Sequence, residues 1–287
     1  MKFLDVKTDF AFKKVFGSDK SQDILISFLN ALITFHNNEK IIALEIVDPY
    51  NIPLLKGMKD SYVDVRAKLD NDTSVIIEMQ VLNVESFEKR ILYNAAKQYS
   101  VQLVKGENYE LLNPVIALTI LDFEMFPDQD KVISNFKLLE KESLIEYSDD
   151  IELIFIELPK FNKALTELTD ITDRWIYFIK HAGDLDYIPE NMDGEIQKAF
   201  EIINEAGMSV AELEVQHKRQ EFIWMQKSAL RKAEKMGLKQ GIEQGIEQEK
   251  KRSEEKQKEL IIAMRQNGLT EEQIAKIINM STDDTEV

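Results

Sequence analysis

The sequence predicts an α/β fold whose core has the element order α-β-β-β-α-β and is followed by a C-terminal helical region. Three patterns indicate this fold: helical periodicity near the N-terminus, strand-like patterns between residues 40 and 80, and helical periodicity alone after Pro159. The chain has 287 residues, of which 44% are hydrophobic, so it can bury a sizeable core. We expect a core over residues 1–160, a helical region over 161–236, and a glycine-spaced helix with a small helical tail over 237–287.

Two helices are predicted ahead of the first strand. Thr8 is placed to cap a short helix, and Gly17 is placed to end it. Ser18 or Ser21 then caps a second helix over about residues 21–36. Apolar residues cover most of that second helix and leave a narrow polar face, as expected for a helix that packs on a sheet.

The first predicted strand covers residues 40–50 and is stopped by Pro49, and a loop over 51–59 contains Pro53 and Gly57. A hairpin over residues 60–80 follows. Its first strand alternates apolar and polar residues, and its second strand begins at Ser74. The turn between them is Asp70-Asn71-Asp72, because Asn and Asp tolerate left-handed backbone angles.

Three polar side chains are predicted to meet in this hairpin. Glu78 and Gln80 are two residues apart in a strand and therefore share one face, and strand pairing could bring Asp64 beside them. Two explanations fit these residues. One is a sheet face that is exposed to solvent, and the other is a site for a hard divalent cation such as Mg²⁺, which prefers carboxylate and carbonyl oxygens.

The remaining elements follow from hydrophobic periodicity and from the glycine and proline residues at their ends. A helix is predicted over residues 84–105 with Gly106 as its C-cap, and a buried strand over 114–122. Two further strands are predicted within 131–158. The segments predicted to be helical after Pro159 are 160–182, 193–206 and 210–236.

Composition excludes several classes of site. The chain has no cysteine, which rules out disulfides, thiolate zinc sites and cysteine nucleophiles. Its three histidines, His36, His181 and His217, are too widely spaced to indicate a zinc site or a Ser-His-Asp triad. The net charge of −16 argues against a broad basic surface for nucleic acid, but it is compatible with an enzyme that uses bound metal and a local basic patch.

The N-terminus shows no signal peptide, and no run of about 18 apolar residues indicates a membrane span. We therefore expect a cytoplasmic protein with no membrane partner.

Near the C-terminus, Gly237, Gly241 and Gly245 recur every four residues beside an equally spaced row of aliphatic residues. Such a row of small residues favours self-association of helices, as in a homodimer, although a weak solvated helix has the same pattern. Further on, Asn267-Gly268 is predicted to end one helix. Thr270 and Gln273 are predicted to form the capping box of the next.

Three segments together resemble a known family. They are TDFAFKKVFG (8–17), DVRAKL with IIEMQ (64–69 and 76–80), and FEKRILYNAAKQY (87–99). They are similar to the Rpn group of recombination-promoting nucleases and transposases, within the PD-(D/E)XK nuclease superfamily. The resemblance covers about residues 1–125. It implies a restriction-endonuclease-like core and a metal-dependent DNA endonuclease that acts in recombination or in defence against mobile elements and phage.

The resemblance also assigns roles to three residues. Asp64 would be the first metal-binding acid and Glu78 the second, with Mg²⁺, Mn²⁺ or Ca²⁺ as the cation. Gln80 stands where the superfamily usually has a lysine. Glutamine can orient a water or a phosphate oxygen, but it supplies no charge.

A positive charge is therefore expected from another residue. Arg90 is the first candidate because it could reach back over the site from the following helix, and Lys89 is its neighbour. Lys68 is a further candidate, since the period of two places it on the same face as Asp64. Asp9 is expected either to complete the metal site or, as we favour, to cap a helix.

Other functions stay open at this point. The scaffold could lack catalysis and act in assembly through its C-terminal helices, because Gln80 and the acidic charge both weaken the case for an enzyme. RNA could replace DNA as the substrate, since these motifs do not distinguish the two polymers. Strand transfer by a transposase is the weaker hypothesis, because no module that recognises DNA ends is visible.

Overall fold

The chain forms two compact units, Met1–Gln226 and Lys227–Val287. The computed structural model describes residues 1–35, 39–51 and 61–283. The strands are β1 (Leu44–Val47), β2 (Tyr50–Asn51), β3 (Ser61–Tyr62), β4 (Val65–Leu69), β5 (Ser74–Gln80), β6 (Val115–Leu121), β7 (Ile133–Leu139) and β8 (Glu146–Glu157). The helices are α1 (Asp9–Phe16), α2 (Gln22–Leu32), α3 (Phe87–Ser100), α4 (Ile171–His181), α5 (Gly194–Ile202), α6 (Val210–Gln266) and α7 (Glu271–Asp283). The loop predicted around Pro53 and Gly57, and His36 at the end of the predicted second helix, lie outside the described residues.

A six-stranded mixed sheet forms the centre of the first unit, with the strand order β1-β4-β5-β6-β8-β7. Its middle strands, β5, β6 and β8, are parallel, and the outer pairs are antiparallel. All seven residues of β6 are buried, as expected for a central strand covered on both faces. This is the predicted α/β restriction-endonuclease-like fold with its α-β-β-β-α-β core.

Helices cover both faces of the sheet. Residues of α1, α2, α4 and α5 share one hydrophobic cluster with one face of the sheet, and α3 packs against the other face. The larger cluster includes an aromatic group in which Trp175, fully buried, contacts Phe16, Phe28 and Phe178. The helices α4 and α5, which follow residue 160, therefore complete the core of the first unit.

Some predicted boundaries are wrong. The helix predicted over 84–105 ends at Ser100 with Val101 as its C-cap, while Gly106 lies beyond it in a loop with a φ of 100°. The helix predicted over 160–182 starts only at Ile171, because Asp170 caps it by accepting a hydrogen bond from the Asp173 N–H at 2.8 Å. The strand predicted over 40–50 is shortened to β1 and the two-residue β2.

The second unit contains the C-terminal part of α6 and the helix α7. Gly268, with a φ of 83°, ends α6, and the Leu269 N–H donates to the Met264 carbonyl at 3.2 Å. Thr270 and Gln273 form the predicted capping box, with the Thr270 N–H donating to Gln273 Oε1 at 2.9 Å. Both predictions for this junction are confirmed.

Across the described part of the chain, no helix combines the length and the apolar composition that crossing a bilayer requires.

Candidate active site

The polar residues of the hairpin meet where β5 ends. Glu78 lies opposite Thr119 of β6, and Gln80, the last residue of β5, lies opposite Leu121. The chain that leaves β6 stays close, because the Asp122 N–H donates to the Gln80 carbonyl at 3.0 Å. In parallel α/β sheets, this carboxyl edge is where ligands usually bind.

Asp64 reaches this edge because the strand alternation breaks at its position. Val63 belongs to the hydrophobic cluster on the α3 side of the sheet, whereas Val65 belongs to the cluster on the opposite side. Val65 is the registered partner of Ile77, yet the Asp64 N–H also donates to the Ile77 carbonyl, at 3.1 Å. The uninterrupted alternation predicted for this strand is therefore wrong at Asp64, which lies in a bend before β4.

The bend turns the Asp64 carboxylate toward β5. Its Oδ2 accepts a hydrogen bond from the Met79 N–H at 2.8 Å. β4 begins at Val65, opposite Ile77, so it supplies no carbonyl opposite Met79. The carboxylate thus satisfies a strand N–H that would otherwise be unpaired. The same hydrogen bond holds the Asp64 side chain in a fixed orientation.

Arg90 joins Glu78 and Gln80. Its Nη2 donates to both Glu78 Oε1 and Gln80 Oε1, and the second distance is 2.7 Å. The guanidinium also lies over the ring of Phe87, 5.0 Å from its centroid. Glu78 and Gln80 therefore share one face, as the alternation predicts, and Arg90 reaches back over them from the first turns of α3.

Burial governs the protonation of both acids. It raises the pKa of Glu78 to about 7, and the negative charge of Asp64 adds to this effect while Arg90 opposes it. Burial also raises the pKa of Asp64, against the hydrogen bond from Met79 and the charge of Lys13. Each carboxylate is only 14% exposed, and two acids in such a setting are stabilised by any added cation.

This donor set fits a hard divalent cation. Asp64 and Glu78 supply carboxylate oxygens, and Mg²⁺ is commonly bound by one or two carboxylates while it keeps several waters. Within residues 1–35, 39–51 and 61–283, no group of three or more His, Cys, Asp or Glu residues could hold a metal. A cation at this position would therefore depend on the two acids, backbone carbonyls and water.

Other predicted site residues lie elsewhere. Lys68 pairs with Asp72 of the hairpin turn at 2.6 Å. The period of two within β4 does not extend to Asp64, because Asp64 lies in the bend before this strand. Lys89 has an exposed side chain one position before Arg90.

The predicted cap role of Asp9 is wrong. The N-cap of α1 is Thr8, as also predicted, and its side chain accepts from the Ala11 N–H at 3.3 Å. Asp9 lies in the first turn of α1 and pairs with Arg219 at 3.3 Å. Its charge contributes to the raised pKa of Asp64, so Asp9 borders the site.

The sequence interpretation missed one residue of the site, Lys13 on α1. Its Nζ lies 3.3 Å from Asp64 Oδ1. A signal for this contact was present, because Lys13 follows Asp9 by four residues and the two must share one face of α1.

A buried ion pair supports the loop next to the site. Glu157 is fully buried and pairs with Lys160 at 2.7 Å. The Glu157 carboxylate also accepts from the N–H groups of Met125 and Phe126, at 2.6 and 3.0 Å. Phe123, from the same loop, packs edge-on against Phe87 at 6.0 Å. The loop after β6 is thereby fixed against the aromatic ring that supports Arg90.

Comparison with known proteins agrees with this fold. The family model described as PD-(D/E)XK nuclease family transposase matches residues 6–233, a range that contains Asp64, Glu78, Gln80 and Arg90. Searches of curated proteins and of solved structures returned no match. The match covers most of the chain, which therefore belongs to the PD-(D/E)XK nuclease family transposases.

Proposed function

We propose that the protein is a metal-dependent endonuclease that hydrolyses phosphodiester bonds of DNA. The observation that carries this proposal is the presence of two largely buried carboxylates, Asp64 and Glu78, at the carboxyl edge of β5, where Arg90 pairs with Glu78. The family to which the chain belongs includes nucleases and transposases, which supports DNA as the substrate and recombination as the setting.

Asp64 and Glu78 would hold Mg²⁺, with Mn²⁺ or Ca²⁺ able to replace it. The bound cation supplies two effects, polarisation of the phosphodiester and a lower pKa for an attacking water. Asp64 is oriented for this role by the Met79 N–H, and Glu78 by Arg90. Near pH 8, above the raised pKa of Glu78, the Glu78 carboxylate is in the charged form that binds a cation.

Gln80 and Arg90 act together in this proposal. Gln80 Nε2 donates to the Leu82 carbonyl at 2.6 Å, so its Oε1 faces Arg90 and accepts from it at 2.7 Å. The glutamine therefore orients the guanidinium. Arg90 in turn neutralises Glu78 in the free protein and supplies positive charge at the edge of the site, where an anionic substrate would arrive.

Calorimetric titration with Mn²⁺ tests the metal site. The parent protein should bind Mn²⁺, and Asp64→Asn should weaken that binding about tenfold or more because one anionic ligand is lost. If the parent binds no metal, or if Asp64→Asn leaves the affinity unchanged, the proposal is wrong. The inactive assembly scaffold is then the better reading.

We further propose that the protein forms a homodimer through its C-terminal helices. α6 continues through Gly237, Gly241 and Gly245, beside exposed residues at the same spacing: Leu238 (66% exposed), Ile242 (54%) and Ile246 (65%). Sedimentation equilibrium should give a dimer for the parent and a monomer for a variant with Leu238, Ile242 and Ile246 all changed to Glu. A monomeric parent would contradict this proposal.

A further inference from the structure

Lys13 places a cation beside the first metal-binding acid of the proposed site. Its Nζ lies 3.3 Å from Asp64 Oδ1, the oxygen that is not bound to the Met79 N–H. The Lys13 side chain is 45% exposed, whereas that of Asp64 is 14% exposed. The ammonium group therefore lies between a largely buried carboxylate and open solvent.

The neighbouring cations are engaged with other acids. Lys14 pairs with Glu212 of α6, and Arg219 of α6 pairs with Asp9. Arg90 donates to Glu78 and Gln80 on the far side of the site. Lys13, by contrast, pairs with Asp64.

The position of α1, and with it Lys13, is fixed by a buried polar contact. Thr8 Oγ1 donates to Gln216 Oε1 of α6 at 2.7 Å, and both residues are nearly inaccessible to solvent. Gln216 Nε2 also donates to the Asp5 carbonyl at 3.3 Å. Because a buried polar group is costly to leave unpaired, these contacts hold the start of α1 in a single position.

We infer that Lys13 binds a non-bridging oxygen of the scissile phosphodiester and stabilises the negative charge that develops there. This inference rests on the proposed nuclease function. A lysine ammonium is a compact point charge on a flexible stem, which suits phosphate binding. With a divalent cation bound at Asp64, the carboxylate would no longer require the Lys13 ammonium group, which would then be able to turn to the substrate. Gln80 supplies no charge for this task, and Arg90 serves the Glu78 side.

Two effects of opposite sign follow for Lys13→Met. In the absence of DNA, Lys13 competes with a metal ion for Asp64. Its removal should therefore tighten Mn²⁺ binding about fivefold. In the presence of DNA, the loss of its charge at the phosphate should lower the rate of cleavage about 100-fold. If Lys13 merely supported the fold, Lys13→Met would weaken both Mn²⁺ binding and DNA cleavage.

The experiment measures Mn²⁺ affinity by calorimetry and the kcat of DNA cleavage with Mg²⁺ for four proteins. They are the parent, Lys13→Met, Lys13→Arg and the control Lys68→Met. Lys13→Arg keeps the charge and should stay within about tenfold of the parent kcat, while Lys68→Met, at the far end of the hairpin, should match the parent in both measurements. Circular dichroism verifies the fold of each variant.

The inference is overturned if Lys13→Met cleaves as fast as the parent, or if it binds Mn²⁺ no more tightly than the parent. A parent that neither binds Mn²⁺ nor cleaves DNA overturns the proposed function, and this inference with it. The two failures are therefore distinguished by the behaviour of the parent alone.

Discussion

Arg90 contacts the carboxylate of Glu78, twelve positions earlier in the chain, and yet the pKa of Glu78 is raised to about 7. Burial of the carboxylate outweighs the arginine because it removes water that would stabilise the charged form. The nearby charge of Asp64 adds to the effect. In the metal-free protein the ionised site is therefore a source of instability, as is common for sites that are built to receive a ligand.

The raised pKa of Glu78 makes stability depend on pH. The folded protein binds a proton at Glu78 more tightly than the unfolded chain does, because the pKa of Glu78 in the unfolded chain is near 4.5. The contribution to the free energy of unfolding is thus fully present below pH 4.5 and is lost as the pH rises to about 7 and beyond. A shift of this size corresponds to about 3 kcal/mol as an upper value.

Glu78→Gln should remove this dependence, because glutamine resembles the protonated acid. In buffer with a chelator at pH 8, we expect the variant to be more stable than the parent by about 1–3 kcal/mol, measured by urea unfolding. At pH 5 the difference should nearly vanish. A variant that is less stable than the parent at pH 8 would show that burial does not control this carboxylate.

Arg90 and Lys89 are adjacent on α3 but have different surroundings. Both side chains are exposed, but Arg90 donates to Glu78 and Gln80, whereas Lys89 makes no such contact within the described part of the chain. We expect Arg90→Met to lower the rate of plasmid cleavage about 100-fold, because the charged donor at this edge is lost. Lys89→Met should stay within about twofold of the parent. Equal losses of cleavage rate in the two variants would indicate a general effect of positive charge on α3 instead of a specific role of Arg90.

The buried pair of Glu157 and Lys160 should dominate the stability of the loop after β6. Lys160→Met leaves a fully buried carboxylate without its cation, which we expect to cost about 3–5 kcal/mol in the free energy of unfolding. Lys198→Met breaks a pair with Asp23 in which both side chains are about half exposed, so it should cost about 0–1 kcal/mol. Chemical denaturation of both variants gives the comparison, and similar losses would contradict it.

Local chemistry made several elements predictable from sequence. The turn Asp70-Asn71-Asp72 forms with Asp72 at a φ of 63°, a left-handed angle that aspartate tolerates better than most residues. Thr8 caps α1, and Gly17 follows its end, as their residue types indicate. These features depend on contacts within a few residues, so the sequence contains the information directly.

Tertiary contacts account for what the sequence did not reveal. The bend at Asp64 depends on the Met79 N–H, fifteen residues away, and the role of Lys68 was misjudged because strand alternation was extended through that bend. The contact between Lys13 and Asp64 requires α1 to lie at the edge of the sheet, where Gln216 of the distant helix α6 helps to hold it. Periodicity places such residues on faces, but it does not say which faces meet.

Cleavage of supercoiled plasmid DNA in the presence and absence of Mg²⁺ tests the central claim most directly. The assay compares the parent with Asp64→Asn, Glu78→Gln and the control Asp72→Asn. The control removes an exposed acid at the far end of the hairpin, and asparagine tolerates the left-handed backbone angle at that position. We predict that the parent cleaves only with Mg²⁺, that Asp64→Asn and Glu78→Gln lose about 100-fold or more of that activity, and that Asp72→Asn matches the parent. Undiminished Mg²⁺-dependent cleavage by Asp64→Asn and Glu78→Gln would contradict the site, and an inactive parent would contradict the proposed function.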